Sequence, residues 1–283
     1  MSINNCAVLA HLNISTWGTE RVDKSQSERI NIINKADPKA AKCMKNLMVG
    51  TDITKQITDY AARIRLWHSQ TSMPWENSGA RLLPTSLYMS WSDELDLRKK
   101  EFERMVNNLM PQYLNLQQQA KYALGDMWNP NDYPSEREVA RKYKWEHFVT
   151  EVPSSGHFCV DVTTDTLNQM QKTCDDHVQR AIADAMHKPW KELHSLLTTM
   201  SSKLRTDSES GKKRFHKTFI SNALDLSELL QHMNVTNDPQ LTKANRQLRQ
   251  LLIGADLDVI KESKEVRKDM KEQVDNMIDQ FQW

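Results

Sequence analysis

"WEHFVTEVPSSGHFCVDV", residues 145–162, is the stretch on which the fold class turns. Two short runs, 148–152 and 157–162, flank Pro153-Ser154-Ser155-Gly156, the pattern of a β-hairpin. Everything after Thr164 carries helical periodicity instead. The sequence therefore predicts an α+β protein, predominantly α-helical with a small β-sheet or hairpin. A boundary near 164 separates an α+β region, 1–164, from a helical region, 165–283.

Toward the amino terminus, "CAVLAHLNISTW" (6–17) alternates in part and reads as a strand that Gly18 ends. Residues 25–49 turn polar and helical, with a turn at Asp37-Pro38. A helix from Thr51 or Asp52 to about Ser69 places Ile53, Ile57, Tyr60, Ile64 and Trp67 on one face. Arg63 and Arg65 fall off that face. "TSMPWENSGARLLPTS" (71–86) reads as a loop. Ser92 caps the next helix, whose stripe runs through Leu95, Phe102, Met105, Leu109, Leu116, Ala120 and Leu124. Pro111 should kink or split it, because proline removes a donor and clashes with the preceding turn. Ser135 is placed to cap a short helix through Tyr143. Beyond Thr164 the expected helices are 165–187, 189–205, 214–233, 239–253 and 255–281. Lys188-Pro189, "RTDSESGKK", "TNDP" and Gly254 separate them.

Composition removes several function classes. The 283 residues hold 38 Lys+Arg and 37 Asp+Glu, a formal charge of +1, so attraction to phosphate must come from uneven distribution. Residues 188–217 carry +5 and residues 255–283 carry −3. No apolar run approaches the roughly 18 residues of a membrane span. The start, "MSINNCAVLAHL", lacks a signal-peptide pattern, so an intracellular protein without a membrane partner is expected. Cys6, Cys43, Cys159 and Cys174 form no CxxC, which favours reduced thiols. The seven glycines are scattered, and a phosphate cradle needs several within one turn, so a P-loop and a dinucleotide fingerprint are both excluded.

Catalytic constellations are equally scarce. His157, Cys159, Cys174 and His177 are soft ligands, but their spacing matches no common zinc unit, and no metal or cofactor is expected. There is no GxSxG, no HExxH and no deaminase signature. The carboxylates of "KESKEVRKDMKEQ" alternate with lysines as solvated helical pairs. The expectation is a protein that is not an enzyme, with a metal-dependent nuclease built from scattered carboxylates as the remote alternative.

"RKYKWEHF" (141–148) interleaves cations and rings. Single strands are held by rings that stack on bases and cations that track phosphates. A helix-to-strand junction with core rings has the same look. The terminal "DNMIDQFQW" places Phe281 and Trp283 at an acidic end, where they would bind a partner protein or simply pack.

Four stretches together resemble a family of phage and prophage proteins: "LNISTWG" (12–18), "MPWENSGARLLP" (73–84), "LGDMWNPNDYPS" (124–135) and "VPSSGHFCV" (152–160). Within that family the chain is similar to the Drc-type single-stranded-DNA-binding RNA polymerase cofactors of podoviruses that carry a giant virion RNA polymerase. The resemblance covers about the first 160 residues. It implies a non-enzymatic protein of the host cytoplasm, with a fold that is not an OB-fold. Such a protein binds single-stranded DNA and serves a phage RNA polymerase in middle transcription, with replication as a further role.

The resemblance assigns no contact residues, so these come from physical chemistry. Arg63, Arg65, Arg81, Lys142, Lys144, Lys203, Arg205, Lys212, Lys213 and Arg214 would neutralise phosphates, and Trp75, Tyr143 and Trp145 would stack on bases. Phe281 and Trp283 would meet a protein partner. The competing expectation is a helical adaptor for a phage polymerase with no DNA role of its own. Homo-oligomerisation stays open.

Overall fold

The computed structural model describes residues 3–76, 79–157, 162–205, 218–255 and 257–281. It is α+β and predominantly helical, with small antiparallel sheets, as the sequence predicts. In chain order the elements are β1 (Ala7–Ser15), β2 (Glu20–Asp23), α1 (Lys24–Ile33), β3 (Cys43–Asn46), α2 (Ile53–Thr71), β4 (Met73–Pro74) and β5 (Arg81–Pro84). There follow α3 (Tyr88–Leu109), α4 (Tyr113–Leu124), α5 (Glu136–Ala140) and β6 (Lys144–Thr150). The last five are α6 (Thr164–Leu204), α7 (Thr218–Met233), α8 (Pro239–Leu252), α9 (Leu257–Glu262) and α10 (Lys264–Gln280).

The chain forms two compact units. The first comprises Met1–His11, Ser69–Trp91 and Phe148–Trp283; the second comprises Leu12–His68 and Ser92–His147. The expected boundary near 164 coincides with the start of α6. The units are divided otherwise, because β1 and the 69–91 segment are claimed by the core that α6 builds.

In the first unit, α6 buries Val178, Ala181, Ile182, Ala185, Met186, Pro189, Leu193, Leu197, Met200 and Leu204. These recur at three- and four-residue spacing, one face of a helix. Met270, Val274 and Met277 of α10 join that core, with Leu241, Ala244, Leu248 and Leu252 of α8. The sequence predicts a break at Lys188-Pro189, and the helix instead runs unbroken through it. Proline in a helix interior costs about 3 kcal/mol, while each fully buried large aliphatic side chain returns about 1.5–3 kcal/mol. The buried stripe keeps its phase on both sides of Pro189, so packing overrides propensity. Pro189→Ala should accordingly raise unfolding stability by about 1–2 kcal/mol, after allowance for the lost ring contacts, as read from denaturant melts.

The four-stranded sheet has the order β4-β5-β1-β6. β1 pairs antiparallel with β5, Val8 opposite Leu83 and Ala10 opposite Arg81, and β4 pairs with β5. The segment expected as a loop, 71–86, thus contains two strands. Of the expected hairpin, the first run is the strand β6, and most of the second run, 157–162, lies outside the described residues. β6 lies in the sheet beside β1, and Ser155–His157 is a 3-10 turn, with 158–161 outside the described residues. The terminal helix 255–281 is also two helices: the Ser263 side chain accepts from the Val266 N–H and starts α10 anew.

The second unit is built around Ile57, Ala61 and Ile64 of α2, Phe102 and Leu109 of α3, and Tyr113 and Leu116 of α4. Pro111 splits the long helix as expected, within a 3-10 turn at Met110–Gln112. Ser135 caps α5 in a capping box with Glu138. Two short strands were missed: β2 and β3 pair antiparallel, Val22 opposite Met44. Their inner face carries an ionic knot. Lys45 Nζ lies 3.3 Å from Asp23 and 2.8 Å from Asp132, and donates to the Met127 carbonyl at 2.7 Å.

Asp23 also accepts from the Gln26 N–H and the Ser25 hydroxyl, and these, with Lys45, hold its carboxyl below the ordinary value of 3.8 despite burial. The unfolded chain takes up this proton first. The stabilisation is therefore complete above pH 3.8 and lost as pH falls through the lower folded value. Melting temperature measured from pH 6 to pH 2 should drop in acid, and Asp23→Asn should flatten the steepest part of that drop.

Candidate nucleic-acid interface

The residues expected to contact DNA fall into three groups. Lys142, Tyr143, Lys144 and Trp145 are brought together where α5 ends and β6 begins. Lys142 and Lys144 are exposed, Tyr143 is buried and Trp145 is half-buried. Strand alternation explains the pair in β6, with Lys144 outward and Trp145 inward, while Lys142 and Tyr143 are placed by the turn that ends α5. Both rings meet α3. Phe102 stands edge-on to Tyr143 at 6.5 Å and tilted against Trp145 at 5.6 Å.

Tyr143 and Trp145 line a cleft of about 340 Å3 together with Lys99, Phe102, Glu103, Val106 and Asn107. The Trp145 indole N–H donates to His147 Nδ1 at 3.1 Å, which fixes the ring. Tyr143 is 9% exposed, and its hydroxyl has no hydrogen-bond partner among the described residues. Burial pushes that phenol well above its ordinary value, so it stays protonated. An unsatisfied buried hydroxyl is costly unless something supplies a partner. Lys99 lies 4.0 Å from Glu103 and is thus only loosely neutralised.

The arginines of α2 do not line this cleft. Arg63 is exposed, with its guanidinium 5.4 Å over the Tyr60 ring. Arg65 is exposed but donates to the Ile14 carbonyl at 2.6 Å. Trp67 packs on the second unit's core as expected, covered by Arg98 at 4.6 Å.

The remaining candidates lie in the first unit, and most have structural tasks. Trp75 is 3% exposed in the core and offers no free face to a base. Arg81 donates to the carbonyls of Ser69 and Ser72 and to the Ser72 hydroxyl. Lys188, absent from the expected set, donates to the carbonyls of Ser69, Gln70 and Ser72. The two cations together cap the last helical carbonyls before β4, where the helix dipole favours positive charge. Burial, and then the nearby Arg81, pull the Lys188 ammonium down to about 8, with Glu192 opposing. Lys203 sits 5.4 Å over the Phe219 ring, and Arg205 is exposed just beyond α6. Phe281 is 7% exposed and packs on Trp190 at 6.0 Å, so it is a core ring and not a partner-facing one. Lys212, Lys213, Arg214 and Trp283 lie outside the described residues.

The four stretches that carry the family resemblance also serve packing. Trp17 is buried in the second unit, the Tyr133 hydroxyl donates to the Leu47 carbonyl, and Asp132 pairs with Lys45. Val152 is buried in the first unit, where Ser155 donates to Asp175. Of the soft-ligand set, His177 pairs with Glu76 at 2.7 Å and Cys174 is half-buried, while Cys159 lies outside the described residues.

Sequence reasoning missed Lys99 and Asn107, which complete the cleft from α3. The signal was present: they lie three residues before and five after Phe102, whose place on the apolar stripe was legible. A further aromatic pair, His11 stacked on Phe148 at 4.3 Å, belongs to the first unit, and Phe148 is 56% exposed. Among the described residues no helix is long and apolar enough to cross a membrane.

No family model, no curated protein and no solved structure matches this chain.

Proposed function

We infer that the protein binds single-stranded DNA through the cleft of the second unit and acts as a cofactor of a phage RNA polymerase. The observation that carries the first half is half-buried Trp145, backed by the buried rings of Tyr143 and Phe102, in one cleft with Lys99 and beside exposed Lys142 and Lys144. Rings in a cleft accept unpaired bases, each stacked base being worth about 1–3 kcal/mol, and a duplex would have to open before its bases could enter. The flanking lysines track phosphates. Charge distribution agrees: the second unit holds 19 Lys+Arg against 16 Asp+Glu, while the first is net negative. The polymerase half rests on the resemblance of the four stretches. By this reading the protein keeps the template strand open for the polymerase, and needs no catalytic group.

The test is a mobility-shift comparison of oligo-dT with a duplex of equal length at 50 and 200 mM salt. The expected result is preference for the single strand and a steep loss of affinity with salt, because condensed cations are released on binding. Affinity unchanged between the two salts, or preference for the duplex, overturns the reading.

A further inference from the structure

α7 and α8 of the first unit enclose a second cleft, of about 540 Å3, within the range of small-ligand pockets. Its chemistry differs from that of the aromatic cleft. α8 contains Lys243, Arg246 and Arg249 and no carboxylate, so the helix carries +3. Its buried stripe, Leu241, Ala244, Leu248 and Leu252, faces the core and leaves Thr242, Arg246, Arg249 and Gln250 on the cleft side.

Arg246 is exposed and makes no hydrogen bond or ion pair among the described residues. Arg249 reaches only the neutral Gln231 Oε1, at 3.2 Å. Asp238, at the start of α8, is engaged elsewhere: one oxygen caps α8 through the Gln240 N–H, and the other accepts from the Trp190 indole. The wall is therefore two arginines with no acid to neutralise them, an arrangement that suits an anion and above all a phosphate, which guanidinium groups grip in a fork.

The rest of the lining is rich in side-chain amides. Gln231, Asn237 and Gln250 line the cleft around Leu230, Leu241 and Ile253, while the Asn234 amide is engaged with Asp238 and Thr242 and braces the rim. Asn245 beneath them is locked by a reciprocal pair of bonds with Ser227, at 2.6 and 2.9 Å, so the floor is preformed. Amides present donor and acceptor side by side, as the edge of a nucleobase does, and an apolar floor accepts the flat ring.

We propose that the α7/α8 cleft is a nucleotide site, with the phosphate on Arg246 and Arg249 and the base edge read by the amides. This rests on its own residues and stands whether or not the aromatic cleft binds DNA. A free mononucleotide and a nucleotide at the end of a strand share the chemistry, and the experiment separates them.

The full chain is titrated by calorimetry with dAMP, with inorganic phosphate and with oligo-dT, as wild type, R246Q/R249Q, Q231A and K142E/K144E. The expected result is saturable dAMP binding, weakened at least tenfold in R246Q/R249Q and severalfold in Q231A, with K142E/K144E unchanged. Inorganic phosphate should bind at least tenfold more weakly than dAMP. Absence of dAMP binding in the wild type overturns the proposal. So does equal affinity for phosphate and dAMP, or dAMP binding untouched by R246Q/R249Q. If R246Q/R249Q weakens oligo-dT alone, the site belongs to the strand and the mononucleotide assignment fails. The three arginine and glutamine positions changed here are exposed, and matched melting curves confirm that each variant folds.

Discussion

K142E/K144E is expected to lower affinity for oligo-dT by about 100-fold at 0.1 M salt while leaving thermal unfolding nearly unchanged. Each phosphate neutralised on a single strand contributes roughly 0.7 of a decade in affinity per decade of salt. Two lost contacts thus account for about 25-fold, and repulsion from the new carboxylates supplies the rest. Both side chains are exposed and neither is in an ion pair among the described residues, so the fold has no stake in them. The slope of log affinity against log salt should also become shallower by roughly 1.4. Fluorescence anisotropy across a salt series reads both quantities. Affinity within threefold of wild type would remove these lysines from the interface.

Lys45→Met is expected to be the most destabilising single change outside the apolar cores. Lys45 and Asp23 are each only 6% exposed, and Asp132 shares the same ammonium. Removing the cation leaves two carboxylates facing one another with a methionine between them. Breaking a buried pair by deleting one partner costs about 3–5 kcal/mol, and the partial exposure of Asp132 puts this case near the lower end. Chemical denaturation should show that loss, and adding Asp23→Asn should recover part of it, because the two changes act on one network. A loss below 1 kcal/mol would mean that the knot is incidental to the β2–β3 pairing.

Much of the helical architecture was legible because long amphipathic stripes leave a period in the sequence. α2, the α3–α4 split at Pro111 and the Ser135 cap all follow from residues within a few positions of one another. The strands were harder. β2, β3, β4 and β5 are four residues or fewer, too short to display alternation, and their pairing is made across the chain. Pro189 misled in the other direction, since a local rule was overridden by packing that only the assembled core supplies.

The site shows the same division. Lys142, Tyr143, Lys144 and Trp145 could be read as one cluster because one turn and one strand carry them. Trp75 and Phe281 could not be distinguished from stacking or docking rings, because an aromatic in a core and one on a surface are the same residue in sequence. Arg81 and Lys188 converge on Ser69 and Ser72 from elements far apart in the chain. No spacing rule could have announced that cap.

The placement of DNA on the second unit is tested most directly by cross-linking. Oligo-dT carrying 5-iododeoxyuridine is bound to the full chain, irradiated, and the adducts are mapped by peptide mass spectrometry. The predicted result is an adduct at Trp145, lost when unlabelled oligo-dT competes. Adducts found only in peptides of the first unit, with the 142–147 peptide unmodified, would contradict it.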